Sequence, residues 1–286
     1  MGSPKIPVEG LDSLPISPAL RECARNLKTH VFAEPEVSIA KPPPQLPIGR
    51  LGAVLILLYE REGIIRVLLT TRSKNLRSHP GQVALPGGKS DPADGTPFGT
   101  ALREANEEVN LPLDSPHVHL LRTLPPFASL YKIIVTPVVA LLSDLSVLET
   151  LVPNEGEVDD IFDHPLEAFL DPSIMGLDPK LSKRNTPQWV YPEEFHNFSD
   201  NPYNGHPYRN HRFRSTSTPI KGLTSSILIL VAETALGRLV KFEKFSENQL
   251  PKDKDIQIIL EEAAMRTGTH QIDGPSESQT PDIAIS

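Results

Sequence analysis

The length and charge of the chain exclude several classes of protein. Its 286 residues carry a formal net charge of −8, which argues against a nucleic-acid-binding surface as the main function. A chain of this length can bury one substantial core with appendages, as expected of a single enzyme domain. The single cysteine, Cys23, excludes an internal disulfide framework and cysteine-built zinc sites, and we expect it to be buried. No apolar run reaches the roughly 18 residues of a membrane span.

The N-terminal region predicts one packing helix between two irregular segments. Residues 1–14 have no hydrophobic periodicity and are expected to be flexible. Ser17 and Pro18 have the residue types of a helix N-cap and first helical position. Residues 41–47, with the sequence KPPPQLP, predict a stiff connector. The helix is expected to present one apolar face formed by Leu20, Ala24, Leu27 and Val31.

Four apolar runs predict β-strands. Residues 53–59 and 64–71 are aliphatic and are separated by a polar turn, which predicts a buried pair of strands. Residues 117–123 and 131–142 predict two further strands joined by a proline-containing turn. Lys132 falls in the last of these runs, where a strand-edge charge is a simpler interpretation than a substrate contact.

Residues 85–111 combine glycines, a helix start and clustered carboxylates. Gly87 and Gly88 interrupt regular structure, so they predict a loop whose backbone approaches a ligand closely. A helix is predicted over residues 98–109 from the spacing of its apolar side chains. Asn110 predicts the helix end, because asparagine tolerates the left-handed conformation better than other non-glycine residues.

One face of this helix carries three carboxylates, Glu104, Glu107 and Glu108. Like charges three and four residues apart repel each other, so a compensating group is expected. Clustered hard oxygen ligands suit Mg²⁺ or Mn²⁺, which typically bridge to substrate phosphates. The alternative is a solvated acidic face in which Arg103 pairs with Glu107. The adjacent glycine loop favours the metal site.

The segment upstream of the glycines is basic, although the whole chain is acidic. Residues 64–89 contain five lysines or arginines and no acid, which indicates a polyanionic ligand. A solvated basic loop remains the alternative. His79 is either a turn residue or a substrate contact. The positive residues of the segment are Arg66, Arg72, Lys74, Arg77 and Lys89.

The helix and the loop before it resemble the Nudix box, in which a glycine leads to Arg-Glu-apolar-x-Glu-Glu-x-Gly-apolar. Two positions depart from this pattern. Asp94 stands where a glutamate is usual, with one additional residue before the arginine, and Asn110 replaces the usual glycine. The matching residues are Gly88, Arg103, Glu104, Glu107, Glu108 and Leu111.

A second motif precedes the box and resembles the signature of the coenzyme A diphosphatase branch of that family. The signature reads L-L-T-x-R-S, then Arg, Gly and P-G-G at fixed spacing. The resemblance implies an α/β Nudix fold, with a mixed β-sheet sandwiched between helices, and a small-molecule substrate. It also implies Mg²⁺- or Mn²⁺-dependent cleavage of coenzyme A into 3′,5′-ADP and 4′-phosphopantetheine. The matching residues are Leu68, Leu69, Thr70, Arg72, Ser73, Arg77, Gly81, Pro86, Gly87 and Gly88.

The resemblance also assigns roles to the charged residues of the box. Glu104, Glu107 and Glu108 would hold the metal ions, and Arg103 would orient them. The family often places a further carboxylate beyond the helix, and Glu157 is the candidate here. Either Glu104, by motif position, or Glu157, by location, would be the general base.

The residues before the helix receive substrate-binding roles. Arg72 and Arg77 would lie near the phosphates or the nucleotide, because a planar guanidinium binds phosphate through two hydrogen bonds. Gly87 and Gly88 would permit close backbone approach, and His79 is a further candidate contact.

Two other functions remain open. One is a housecleaning pyrophosphatase acting on oxidised nucleotides, and the other is a catalytically silent Nudix module that senses its ligand. The resemblance implies a peroxisomal location, but the final residues Ala-Ile-Ser do not match an S-K-L-type address, and the alternatives are a cytoplasmic or a mitochondrial location. No membrane or nucleic-acid partner is expected, and the oligomeric state is unknown.

The C-terminal half predicts an aromatic insertion followed by helices. Residues 189–198 and 212–217, inside the proline-rich segment 171–221, are candidate paired strands. Their aromatic side chains are expected mainly in the core, with contact to an acyl-pantetheine arm as the alternative.

Two helices are predicted after this insertion, over residues 222–236 and 253–266, and the tail from Thr267 is expected to be disordered. The predicted division is an N-terminal helix and linker over 1–47, a Nudix domain over 48–245, and a C-terminal helix and tail over 246–286.

Overall fold

The computed structural model describes residues 8–32 and 46–269, which contain a large mixed sheet, a small sheet and four α-helices. The large sheet comprises β1 (Leu51–Arg61), β2 (Ile64–Arg72), β3 (Val83–Ala84), β4 (Gly87–Lys89), β5 (Val118–Thr123), β6 (Phe127–Ala128), β7 (Ile134–Leu142) and β8 (Val158–Pro165). The small sheet comprises β9 (His196–Tyr203), β10 (His206–Phe213) and β11 (Ile220–Lys221). The helices are α1 (Pro18–Thr29), α2 (Pro97–Val109), α3 (Gly222–Leu236) and α4 (Lys252–Thr269).

The large sheet is mixed because β1 pairs in parallel with β7 and antiparallel with its other partners, β2 and β4. The strands follow the order β3-β2-β1-β7-β5, and β8 pairs with β2. Glu62 and Gly63 turn the chain between β1 and β2, both with positive φ. The predicted pair of buried strands is therefore confirmed.

Helices cover both faces of this sheet. On one face, α1 and α3 pack against Ile56 and Leu58 of β1. On the other face, α2 packs against Leu55 and Leu57 of the same strand. Successive side chains of a strand point to opposite faces, so a strand covered on both sides is apolar throughout. This explains the continuous apolar run and confirms the α/β sandwich.

The N-terminal expectations are partly wrong. Ser17 caps α1 and Pro18 begins it, as predicted, but the helix ends at Thr29, so Val31 lies beyond it and is 86% exposed. A short 3₁₀ helix spans Val8–Ser13, and Leu11 is fully buried in the core, which contradicts the expected flexibility of that stretch. One buried leucine in a short segment produces no repeating apolar pattern, so the sequence did not predict that Leu11 is buried. Residues 1–7 and 41–45 lie outside the described residues.

The strand predicted over residues 131–142 begins later, at Ile134. Lys132 has φ of 58°, in the left-handed region, so residues 129–133 form a turn between β6 and β7. A strand cannot continue through that conformation. Lys132 pairs with Glu262 of α4, which makes it a structural charge rather than a substrate contact.

The hairpin in the aromatic insertion is displaced from its prediction. β9 and β10 pair through a turn at Asn204 and Gly205, whereas pairing was expected between residues 189–198 and 212–217. An Asn-Gly pair is a strong hairpin signal, and it overrides the aromatic pattern. Trp189 lies outside the hairpin and is fully buried, which agrees with the predicted core role.

Both C-terminal helices are present. α3 has the predicted bounds, and α4 buries Ile256 and Ile259 against Leu51 and Ile134. α4 continues to Thr269, so the tail expected to be disordered from Thr267 is helical at its start. Its remainder, from residue 270, lies outside the described residues. No helix within the described ranges combines the length and hydropathy needed to cross a bilayer.

Candidate active site

α2 begins and ends as its sequence predicts. The Thr96 hydroxyl accepts a hydrogen bond from Gly99 N at 3.1 Å, and Asn110 closes the helix with φ of 57°. Ala105 and Val109 face the sheet and are buried. A helix that buries one face presents the opposite face elsewhere, so the carboxylates turn towards the loop that contains β4.

Arg103 connects this helix to the glycine loop. Its Nε donates to Asp94 Oδ1 at 2.7 Å, and its Nη1 lies 3.0 Å from Glu104 Oε1 and 2.9 Å from Glu107 Oε2. Its Nη2 donates to Asp94 Oδ2 at 3.0 Å and to the Lys89 carbonyl at 2.9 Å. Arg103 therefore positions two glutamates, as the resemblance implies, and Asp94 in turn holds Arg103.

Asp94 replaces the usual glutamate and is fully engaged. Besides Arg103, its Oδ2 accepts from Thr100 Oγ1 and from Asp91 N, both at 2.8 Å. These hydrogen bonds, above all those from Arg103, lower the pKa of Asp94 to about 2. The carboxylate is thus ionised at neutral pH and supports the loop, as expected.

Gly87 and Gly88 let other parts of the protein pack closely against the loop. A Cβ at Gly88 would lie 2.4 Å from the Glu104 carboxylate. A Cβ at Gly87 would lie 2.4 Å from the Ala53 carbonyl oxygen and 2.6 Å from Val54 Cα. The backbone at these glycines is closely approached by β1 and by the Glu104 carboxylate, and the predicted approach to a ligand stays a prediction.

Glu108 is the most buried of the three carboxylates. Its Oε2 accepts a hydrogen bond from Gly87 N at 3.0 Å, and its Oε1 lies 3.6 Å from Arg72 Nη1. Burial raises the pKa of Glu108 to about 7, although the Gly87 amide and the Arg72 guanidinium oppose that shift. Burial likewise raises the pKa of Glu104, and Glu107 adds to this by charge repulsion.

Of the remaining predicted residues, Glu157 lies near Glu108, and Arg77 and His79 lie on the loop between β2 and β3. Glu157 is exposed, its carbonyl accepts from Ser73 N at 2.8 Å, and its carboxylate is near enough to add to the raised pKa of Glu108. Arg77 and His79 lie on the exposed loop between β2 and β3. His79 has φ of 54° and bonds Gln82 Oε1 at 3.1 Å, so it is a turn residue.

Tyr131 was not among the predicted site residues. It is exposed, and its ring packs edge-on against His79 with centroids 5.2 Å apart. It had been placed inside a strand, and no local signal marks it. The neighbouring Ser129 and Lys132 make the turn that presents it, and only their contacts reveal this.

The donor chemistry of the site fits a hard divalent cation. Glu104 and Glu108 are carboxylates whose pKa values are raised by burial, so a nearby cation would stabilise their charged forms. The absence of a side chain at Gly88 lets the Glu104 carboxylate pack directly against the loop. Among residues 8–32 and 46–269, no group of three or more His, Cys, Asp or Glu side chains already stands in metal-binding geometry. Arg103 occupies Glu104 and Glu107 in this arrangement.

The NUDIX domain family matches residues 49–205, which include the whole site described above. The chain belongs to the Nudix family. Its fold is accordingly the Nudix fold, and hydrolysis of pyrophosphate bonds with divalent cations is the general chemistry of Nudix hydrolases. The predicted domain limits of 48–245 stay a prediction.

Several curated proteins are similar to this Nudix chain. Nudix hydrolase 15, mitochondrial, of Arabidopsis thaliana is 42% identical over 140 residues, 49% of this chain and 48% of that protein. An uncharacterized Nudix hydrolase NudL of Photorhabdus laumondii is 40% identical over 157 residues, 54% of this chain and 80% of that protein. The peroxisomal coenzyme A diphosphatase NUDT7 of Mus musculus is 41% identical over 123 residues, 43% of this chain and 50% of that protein. The chain thus spans about half the length of the Arabidopsis and mouse relatives.

Proposed function

We propose that this protein hydrolyses the diphosphate bond of coenzyme A and its derivatives to 3′,5′-ADP and 4′-phosphopantetheine or its acyl form. The observation that carries the proposal is the contact between the two motifs. Arg72, from the upstream signature, reaches Glu108 of the Nudix box at 3.6 Å. The similarity to a mouse coenzyme A diphosphatase supports the same substrate.

A diphosphate linkage resists water because its anionic oxygens repel a nucleophile. The metal ion, Mg²⁺ or Mn²⁺, supplies charge neutralisation and an activated water when bound. Glu104, Glu107 and Glu108 would hold it, and Arg103 fixes the orientation of the first two. Gly87 N holds Glu108 in place through its 3.0 Å hydrogen bond.

The substrate phosphates are assigned to the arginines of the basic loop. Arg72 Nε is buried and has no hydrogen-bond partner within the described part of the chain, so it is available to a phosphate oxygen. Arg77 is exposed on the same loop and extends the positive surface towards solvent. His79 is assigned to the rim of the substrate site.

Proton transfer from the attacking water requires a carboxylate near the reacting phosphorus. Glu104 has the motif position, but Arg103 holds it at 3.0 Å. Glu157 is exposed and near Glu108, so it is accessible to water. The single substitutions Glu104→Gln and Glu157→Gln distinguish the two candidate bases. The pH profile of kcat should lose the ionisation of the base only in the variant that lacks it.

The proposal is tested by product analysis with coenzyme A, with and without Mg²⁺. Wild type is expected to release 3′,5′-ADP only with the metal, and Glu108→Gln to lower the rate by about a hundredfold or more, as when a key charged group is lost from an active site. Glu149→Gln is the matched control, since Glu149 is exposed and outside the site.

Other outcomes would replace the proposal. Intact coenzyme A together with cleavage of an oxidised nucleoside triphosphate would favour a housecleaning pyrophosphatase. Ligand binding without any turnover would favour a sensing module. The compartment follows from imaging a tagged protein, with the peroxisome expected by resemblance and the cytoplasm or the mitochondrion as the alternatives.

A further inference from the structure

The turn between β6 and β7, residues 129–133, is held rigidly by its own hydrogen bonds. Ser129 N donates to the Ile133 carbonyl at 2.8 Å, and Ile133 N donates to Ser129 Oγ at 3.0 Å. Lys132 N donates to the Ser129 carbonyl at 2.9 Å. These bonds close the turn tightly although Lys132 adopts the left-handed conformation, which is unfavourable for a residue with a side chain.

Three other parts of the chain also hold this turn. Arg50 Nη1 donates to the carbonyls of Tyr131, at 3.1 Å, and Lys132, at 3.3 Å. Tyr203 of β9 donates its hydroxyl to the Ser129 carbonyl at 3.1 Å. Lys132 Nζ lies 2.5 Å and 2.6 Å from the two oxygens of Glu262 in α4. Strained backbone that the surrounding structure over-determines is typical of functional sites.

The held turn presents apolar side chains to solvent. Leu130 is 66% exposed and Tyr131 is 63% exposed. The Tyr131 ring is fixed at its edge by the His79 ring, which stands at 88° to it. An exposed aromatic ring held by this many contacts is preorganised for a ligand, because ordering it on binding would cost little entropy.

Two short paths connect this aromatic pair to the carboxylates. The loop that carries His79 is closed at Arg72, whose carbonyl accepts from Gly81 N at 3.0 Å, and Arg72 reaches Glu108. On the other side, Ile133 Cγ2 lies 3.6 Å from the Cβ position at Gly52. Gly52 is on β1 beside β4, which carries Gly88. The loop with His79 and the turn with Tyr131 are therefore both joined to elements that carry site residues.

We propose that Tyr131 stacks on the nucleobase of the diphosphate substrate and so determines its preference for a nucleotide half. This inference rests on the proposed function, because it requires a diphosphate substrate that brings a nucleotide to Tyr131. Arg77 and Lys74 lie on the His79 loop, where they attract the phosphates and leave the base beside the ring. Stacking on tyrosine accepts any base, since every base has a π-face.

The test is calorimetric binding of 3′,5′-ADP and of inorganic diphosphate, with wild type and three variants. Tyr131→Ala is expected to weaken 3′,5′-ADP binding about tenfold or more and to leave diphosphate binding unchanged. Tyr131→Phe keeps the π-face and should bind 3′,5′-ADP like wild type. Leu130→Ala is the matched control, because it removes an equally exposed apolar side chain from the same turn.

Unchanged 3′,5′-ADP binding in Tyr131→Ala would overturn the inference, as would equal weakening of both ligands. A drop of the same size in Leu130→Ala would indicate loss of the turn and would also overturn it. Because the readout is binding, failure of the coenzyme A activity is distinguishable. Tyr131-dependent 3′,5′-ADP binding without cleavage of coenzyme A would leave stacking supported and the proposed reaction refuted.

Discussion

At the scale of single residues, the site depends on two glycines, where a side chain would collide with neighbouring groups. Gly88 has no side chain where a Cβ would meet the Glu104 carboxylate at 2.4 Å, and Gly87 lets β4 lie directly against β1. Arg103 then distributes its donors among Asp94, Glu104 and Glu107. The position of the Glu104 carboxylate thus depends on the missing side chain at Gly88 as well as on the contacts with Arg103.

Gly88→Ala should lower kcat about a hundredfold, because displacing a reacting group by about an ångström has an effect of that order. The melting temperature should change little, since the clash involves the end of a flexible side chain. Steady-state kinetics with calorimetry measures both. Gly49→Ala is the control, because a Cβ there meets nothing within 4 Å. Wild-type kcat in Gly88→Ala would mean that the position of Glu104 is unimportant.

At the scale of elements, the termini of α2 set the register of the carboxylates. Thr96 caps the start, and Asn110 ends the helix in the left-handed conformation where the family pattern has glycine. Leu111, immediately after it, is buried in the core. The replacement is compatible with the fold because asparagine adopts this conformation at lower cost than other residues with side chains.

Asn110→Ala should therefore lower the free energy of unfolding by about 1 kcal/mol, the order of the left-handed penalty for an ordinary residue. Asn110→Gly should be as stable as wild type or slightly more stable. Chemical denaturation of both variants measures the difference. Equal stability of the alanine and glycine variants would show that the helix end relaxes without strain.

At the scale of the whole molecule, the large and the small sheet each contain a histidine whose pKa is lowered by burial. His164 of β8 is fully buried, packs on Phe169, and has no hydrogen-bond partner for either ring nitrogen in the described part of the chain. Burial lowers the pKa of His164 to about 3, the positive charge of Arg66 adds to that shift, and Asp163 opposes it. His196, the first residue of β9, has a pKa lowered to about 3 by burial and by His211.

Acid should accordingly destabilise the fold from about pH 6.5 downwards. Below that pH His164 is protonated in the unfolded chain, whereas in the folded protein it stays neutral down to about pH 3. His164→Leu should reduce the loss of stability by about 1.4 kcal/mol per pH unit in that window. Urea denaturation at several pH values measures this slope. His206→Leu, at an exposed position, should keep the wild-type slope. Identical slopes in wild type and His164→Leu would refute the assignment.

Much of the architecture and part of the site followed from local sequence signals. The β1–β2 pair, α2 with its asparagine end, α3 and the cluster of Glu104, Glu107 and Glu108 all depend on apolar spacing, caps and turns within a few residues. One error arose where a tertiary contact overrode a local pattern, and another where a strong local turn signal was not used. Leu11 anchors an aperiodic segment, and Asn204 with Gly205 sets the hairpin register.

The sequence by itself determined which residues share the helix face, because the period of an α-helix is independent of its surroundings. Only the tertiary structure decided that Arg72 reaches Glu108 and that Gly88 faces Glu104. It alone also placed Tyr131 beside His79. These neighbours are distant along the chain and meet because strand pairing and helix packing bring their loops together. No local pattern records such pairing.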